Sequence, residues 1–167
     1  MYQVGDQIVH PGYGVGTVTE IKKSHTLGRE KRYYSIELLN ERETVVMVPV
    51  GAEESTGLRR PISEATLRRV WRILKDDPNQ LPSNYGKRCE LLDEELASGD
   101  TLKIAGVVRD LAWRRENVQR LTIHGKRLYD RGVALLAGEI ASVQDSDFLD
   151  AEVLIARMLD QGLHPAA

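Results

Sequence analysis

Three glycines, Gly12, Gly14 and Gly16, stand close together in VHPGYGVGTV. Glycine-rich turns of this density often cradle phosphates. Here the context argues against it. A Walker loop closes on Gly-Lys-Ser/Thr, and no lysine follows Gly16 before Lys22. A dinucleotide fingerprint needs a further glycine three residues on, where Thr19 stands. Both motifs aim a helix N-terminus at the phosphate, whereas TVTEI continues as a strand. The glycines are therefore expected to form a turn and a bulge that let the strand fold over itself.

The remaining chemistry-bearing side chains are scattered. His10, His25, His124, His164 and Cys89 lack paired metal-ligand spacing, so no metal site is expected. Cys89 falls on an apolar helical stripe, where an inert buried thiol is the default over a nucleophile. Asp93, Glu94 and Glu95 read as a solvated helix face. No catalytic constellation, cofactor or small-molecule substrate emerges, and an enzyme is not expected. Trp71 reads as core, and Trp113 as core in preference to a partner contact. Tyr85 follows Pro82, Ser83 and Asn84 at a helix start, with Lys87 and Arg88 just beyond. In such a setting amides and cations can hold phosphate while the ring wedges against a base. On these residues alone, a partly buried capping contact is the stronger reading of Tyr85.

Two segments of different period must position these residues. Over the first ~55 residues, QIVHP, GTVTEIKKS, RYYSIELLN and ETVVMVPV are rich in Val, Ile, Thr and Tyr, with turn signals between them. Four or five short strands suggest a small bent antiparallel barrel of the SH3 or Tudor kind. From Pro61 the period becomes helical. Ser63 is the expected N-cap, Ile62 and Leu67 form a hydrophobic staple, and Leu67, Val70, Trp71 and Leu74 make one stripe. Asp76-Asp77-Pro78 ends that helix. Tyr85, Cys89, Leu92 and Leu96 mark the next. Then come a helix with Ile104, Val108 and Leu111 inward and Arg109, Arg114 and Arg115 elsewhere, a long helix with Leu128, Leu135 and Ile140 inward, and a last helix starting near Asp145 to Asp147. The expected fold is thus α+β in two domains: a barrel over 1–57, a bundle of about five helices over 58–162, and a short tail, 163–167, with a hinge over Gly57 to Pro61.

The 167 residues are 41% hydrophobic and 29% charged, the composition of a folded chain. No apolar run approaches the ~20 residues of a membrane span, and MYQVGDQIV carries Asp6 without a basic leader, so neither membrane insertion nor export is expected. A single cysteine excludes an internal disulfide and suits a reducing cytoplasm. Net charge is −2, but residues 59–131 hold 16 basic and 11 acidic side chains, while residues 132–167 hold 1 and 6. The middle is locally cationic and the end acidic.

The segments VGDQIVHPGYGVGTV, VVMVPV, GLR, LPSNYGKR, LASGD, VVRDL and LAGEIA, in this order from Val4 to about Leu159, resemble the CarD/CdnL family of bacterial transcription regulators. The resemblance implies a Tudor-like domain, shared with transcription-repair coupling factors, that docks on the β subunit of RNA polymerase. It implies a helical domain that contacts promoter DNA at the upstream edge of the melted bubble and stabilises the open complex, without catalysis or cofactor. The docking strand maps to Val46, Met47, Val48 and Pro49, with Met47 and Ile36 setting the fit. Strand alternation makes Met47 the exposed contact. Ser24 stands where some relatives carry an arginine for the polymerase surface. The DNA contacts map to Tyr85, where the family usually has tryptophan, to Lys87 and Arg88, and to Lys126 and Arg127. A smaller ring implies a working but weaker wedge, and Glu90 stands where relatives often carry a basic residue. A chain of this charge is expected to bind promoter DNA weakly unless polymerase delivers it, and so to reside in the cytoplasm at the nucleoid. Self-association is left open, with a monomer as the expectation. The competing reading is a protein–protein adaptor whose barrel binds a partner and whose helices never touch DNA.

Overall fold

Alternating apolar residues and tight turns give four strands in the computed structural model, which describes residues 1–166. The chain divides into two units, residues 1–61 and residues from Ile62 onward. In the first, β1 (Gln7–His10), β2 (Gly14–Thr26), β3 (Arg29–Leu38) and β4 (Val45–Pro49) form an antiparallel sheet in the order β1-β2-β3-β4. Gln7 pairs with Thr17, Gly16 with Leu38, and Tyr33 with Pro49.

The sheet is open, which corrects the expected barrel. β1 and β4 are its two ends and do not pair with each other. After β4 the chain turns through the four-residue helix α1 (Glu53–Thr56) and lays Arg59 alone against Val9. Two hydrogen bonds, of 2.7 and 3.1 Å, make that bridge. A single bridge satisfies β1 locally, and β4, five residues long, keeps an outer edge that no described strand covers.

The glycine run is divided in its work. Gly14 takes a positive φ of 83° in the β1–β2 turn. Gly16 permits close approach: a Cβ there would stand 2.5 Å from Ile36 Cγ2 and 2.8 Å from the Glu37 carbonyl oxygen. The bulge itself lies further along, between Val18 and Glu20. Inside the sheet Ile8, Val18, Tyr34, Ile36, Val48 and Leu58 form the core. The Tyr34 hydroxyl donates to Glu53 and accepts from the Tyr2 amide, tying both ends of the unit to its centre.

The second unit is a bundle of five helices: α2 (Glu64–Lys75), α3 (Tyr85–Ala97), α4 (Thr101–Asn117), α5 (Ile123–Gln144) and α6 (Phe148–Leu163). Ser63 caps α2, its hydroxyl accepting from the Thr66 amide at 3.2 Å. Leu67, Val70 and Leu74 are buried, and Trp71 is half-buried. α4 is the central helix, against which all the others pack. On α5 the fully buried leucine is Leu136, with Leu135 half-buried. Buried Glu139 accepts from the Ile62 amide and the Thr101 hydroxyl, both at 2.8 Å, so one carboxylate joins the entry to α2 and the start of α4 to α5. Of the expected tail, Leu163 belongs to α6 and Ala167 lies outside the described residues.

Candidate functional site

The resemblance implies one interaction surface on each unit. In the first, Leu38 N–H donates to Thr44 O and Val50 N–H donates to Arg32 O, bracketing β4 in one register. Bonded pairs alternate along an antiparallel ladder, so Val46 and Val48 direct their backbone groups at β3, and Val45 and Met47 direct theirs outward. Pro49 has no N–H to offer, and its carbonyl accepts from Ala52 N at 3.1 Å. Met47 is 43% exposed, so its side chain and backbone are both available at the same place. Val46 is half-buried and Val48 buried on the core face.

Two predicted docking residues are placed elsewhere. Ile36 is a core residue, opposite Val46, and holds β4 from beneath; its side chain is not presented to a partner. Ser24 lies on β2 opposite Lys31, one strand removed from the β4 edge.

In the second unit, Tyr85 is the first residue of α3 and is 49% exposed. Asn84 caps the helix, accepting from Lys87 N at 2.9 Å, so the ring is fixed to a defined helix start. Arg88 lies one turn on, and the structure corrects its expected role. It is buried, and its Nη1 donates to the carbonyls of Pro82 at 3.0 Å and Ser83 at 3.1 Å. Its guanidinium carbon stands 5.6 Å from the Tyr85 ring centroid. Arg88 braces the ring and the loop before it, and is not presented to phosphate. Lys87, Lys126 and Arg127 are exposed.

Tyr85 also meets residues that the sequence did not single out. It lines a seam with Arg114, Gln119, Arg120, Thr122 and Gly125, which brings the N-terminus of α5 beside that of α3. Thr122 caps α5, accepting from Gly125 N at 3.0 Å. The seam encloses about 20 Å³, room for one water molecule, so Tyr85 projects from the surface instead of lining a pocket. Ile123, the first residue of α5, is 77% exposed, with Lys126 and Arg127 one turn further on. Two helix N-termini, an exposed ring, an exposed aliphatic side chain and several cations thus share one region, a composition suited to a polyanion with apolar faces.

Residues 2–62 match the family described as "CarD-like/TRCF RID domain", and residues 69–156 match "CarD, C-terminal domain". The chain belongs to the CarD family. These CarD matches fall one on each structural unit. A similar protein is the "Putative transcription factor YdeB" of Bacillus subtilis (strain 168), 25% identical over 144 residues, spanning 86% of this chain and 93% of that protein. At the level of the family the protein is a CarD-like transcription regulator. Among the described residues no group of three or more His, Cys, Asp or Glu is arranged to hold a metal ion, and no helix is long and apolar enough to cross a membrane.

Arg109, which the helical register places away from the apolar face, is also buried. Its Nε and Nη2 each lie 2.8 Å from Asp110 Oδ1, and Nη1 reaches the Ile73 carbonyl at 3.4 Å. Asp110 Oδ1 further accepts from Asn79 N at 2.9 Å. The pair therefore anchors the loop that leads to Tyr85. Burial raises the Asp110 carboxyl above its ordinary range, and the Asn79 amide and Arg109 pull against that rise.

Proposed function

We propose that this protein docks on the β subunit of RNA polymerase through the outer edge of β4 and stabilises the open promoter complex by pressing Tyr85 against DNA at the upstream edge of the bubble. The observation that carries the reading is Tyr85 itself: half-exposed, at the first position of a capped helix, braced from below by Arg88, and beside a second helix N-terminus. An apolar ring held rigidly next to phosphate-binding amides can hold a base step unstacked. The β4 edge supports docking by strand addition, in which backbone groups give affinity and Met47 gives fit. Lys87, Lys126 and Arg127 supply phosphate contacts, few enough that free DNA binds weakly and with a shallow salt dependence.

Open-complex lifetime on a ribosomal-type promoter, with the matching polymerase, tests this. The wild type lengthens the lifetime, Tyr85→Ala loses the effect while still binding polymerase, and Met47→Arg loses both. Tyr85→Trp lengthens it further, because a larger ring covers more of the opened step. A wild type that changes neither lifetime nor polymerase association defeats the reading. Polymerase binding with Tyr85→Ala equal to wild type leaves a protein–protein adaptor.

A further inference from the structure

Trp113 stands on α4 at 37% exposure and lines two clefts, both of which also include Pro78. One cleft, about 250 Å³, includes Asp76 and Asp77. The other, about 300 Å³, is lined by Asn79, Gln80, Asp110 and Arg114. That volume is at the lower end for small-molecule sites. Arg114 lines this second cleft and also the seam at Tyr85, so the two features share a residue.

The charges of the second cleft are unequal in their satisfaction. Asp110 already has Arg109 and the Asn79 amide. The Arg114 guanidinium has no hydrogen-bond or ion-pair partner among the described residues. Burial, and then the like charge of Arg88, act against its protonated form. A cation held half-buried near a second cation, with no counter-ion of its own, is a site for an anion. Beside it are the partly exposed Trp113 ring and two residues with side-chain amides, Asn79 and Gln80, which can hydrogen-bond the edge of a base. Asp76 and Asp77 repel phosphate from the first cleft.

We infer that the Trp113–Arg114 cleft binds one unstacked nucleotide of single-stranded DNA, the base against the Trp113 ring and the phosphate on Arg114. The inference deepens the proposed function: a ring at Tyr85 that opens a base step releases unstacked nucleotides, and Arg114 joins that ring to the cleft. Stacking on an aromatic side chain with an adjacent arginine is the sequence-tolerant means of holding single strands.

The chain has two tryptophans, Trp71 and Trp113, which makes the site spectroscopically addressable. Oligo(dT), the same length of abasic strand, a blunt duplex and free dTMP are titrated into full-length protein while tryptophan emission is followed. Oligo(dT) quenches the wild type and Trp71→Phe, and does not quench Trp113→Phe; abasic strand and duplex quench none of them. Arg114→Gln weakens oligo(dT) binding by about tenfold and lowers the slope of log affinity against log salt by about 0.7. Quenching that survives in Trp113→Phe, or that abasic strand reproduces, overturns the site. Saturation by dTMP as tight as by oligo(dT) replaces single-stranded DNA by a free nucleotide as the ligand and overturns the inference as stated. Open-complex lifetime is read in parallel: dependence on Tyr85 without quenching defeats this inference and leaves the proposed function, whereas quenching without any effect on polymerase does the reverse.

Discussion

Arg88 lies beneath Tyr85, 5.6 Å from guanidinium carbon to ring centroid, and spends its hydrogen bonds on the carbonyls of Pro82 and Ser83. The residue that looked like a phosphate contact is the support of the residue that looked like a wedge. Two consequences separate these roles. Arg88→Ala leaves two partly buried carbonyls unpaired, which costs about 2 kcal/mol in urea unfolding. It also weakens binding to forked DNA without changing the salt slope, because no phosphate contact is lost. Lys87→Ala does the opposite, lowering the slope by about 0.9 at little cost in stability. Arg88→Lys does not rescue, since an ammonium cannot reproduce the guanidinium's fixed reach to both carbonyls and the ring. A salt slope that falls with Arg88→Ala would return the residue to the DNA surface.

The β4 edge makes its own prediction through proline. Met47 directs its N–H outward, so Met47→Pro removes no bond from the β3–β4 ladder and leaves the first unit folded, within about 1 kcal/mol of wild type. It removes the N–H through which an incoming strand would pair, and calorimetric binding to the polymerase β subunit is lost. Val48→Pro cuts the ladder and fills the core wrongly, costing about 3 kcal/mol or more. Equal destabilisation by the two prolines would show that the outward assignment of Met47 is mistaken.

What was legible in the sequence is what neighbouring residues decide. The Ser63 cap and the Leu67, Val70 and Leu74 stripe depend on spacing within one helix, and the exposure of Met47 on alternation within one strand. Openness of the sheet was not legible, because closure is settled by where Arg59 lands after α1, a contact fifty residues from Val9. The burial of Arg88 and Arg109 was missed for a related reason. Arginine ordinarily marks a surface, and the carbonyls that make these two tolerable inside belong to a loop and to α2, where no helical period points, while the carboxylate, Asp110, is the neighbouring residue on α4. Along VALLAGEIA apolar residues occupy every side, so periodicity could not choose Leu136 over Leu135.

The tip of the β2–β3 hairpin is a local misfit. Leu27 and Gly28 both take positive φ, 54° and 73°, the pattern of a type I′ turn. Leucine is a poor choice there, and its side chain, almost wholly exposed, gains nothing in return. Leu27→Asn, which gives the Asn-Gly pair this turn prefers, stabilises the first unit by about 1 kcal/mol in urea unfolding. No gain, or a loss, would mean that the tip is not held in this turn in solution.

Acid separates the two units. In the first, the Tyr34 hydroxyl donates to Glu53 and holds its carboxyl below the ordinary 4.5. The unfolded chain then binds the proton more readily, so this contribution is present above pH 4.5 and disappears as pH falls through the folded value. In the second, burial and then the charge of Asp110 raise Glu95 above 4.5, and burial raises Asp110 above 3.8. There the folded unit binds protons that the unfolded chain releases, so these groups favour folding more as pH falls through the window from their folded to their unfolded values. Both tryptophans lie in the helical unit, and their emission in urea at successive pH values reports that unit alone. Amide hydrogen exchange along β3 reports the sheet. As pH is lowered towards 4, the protection of β3 amides, taken against the intrinsic exchange rate at each pH, falls in wild type and less so in Tyr34→Phe, while the urea midpoint of the helical unit holds or rises, and Glu95→Gln flattens that response. A helical midpoint that drops in step with protection on β3 would show that Glu95 and Asp110 are charged and well solvated in the folded protein.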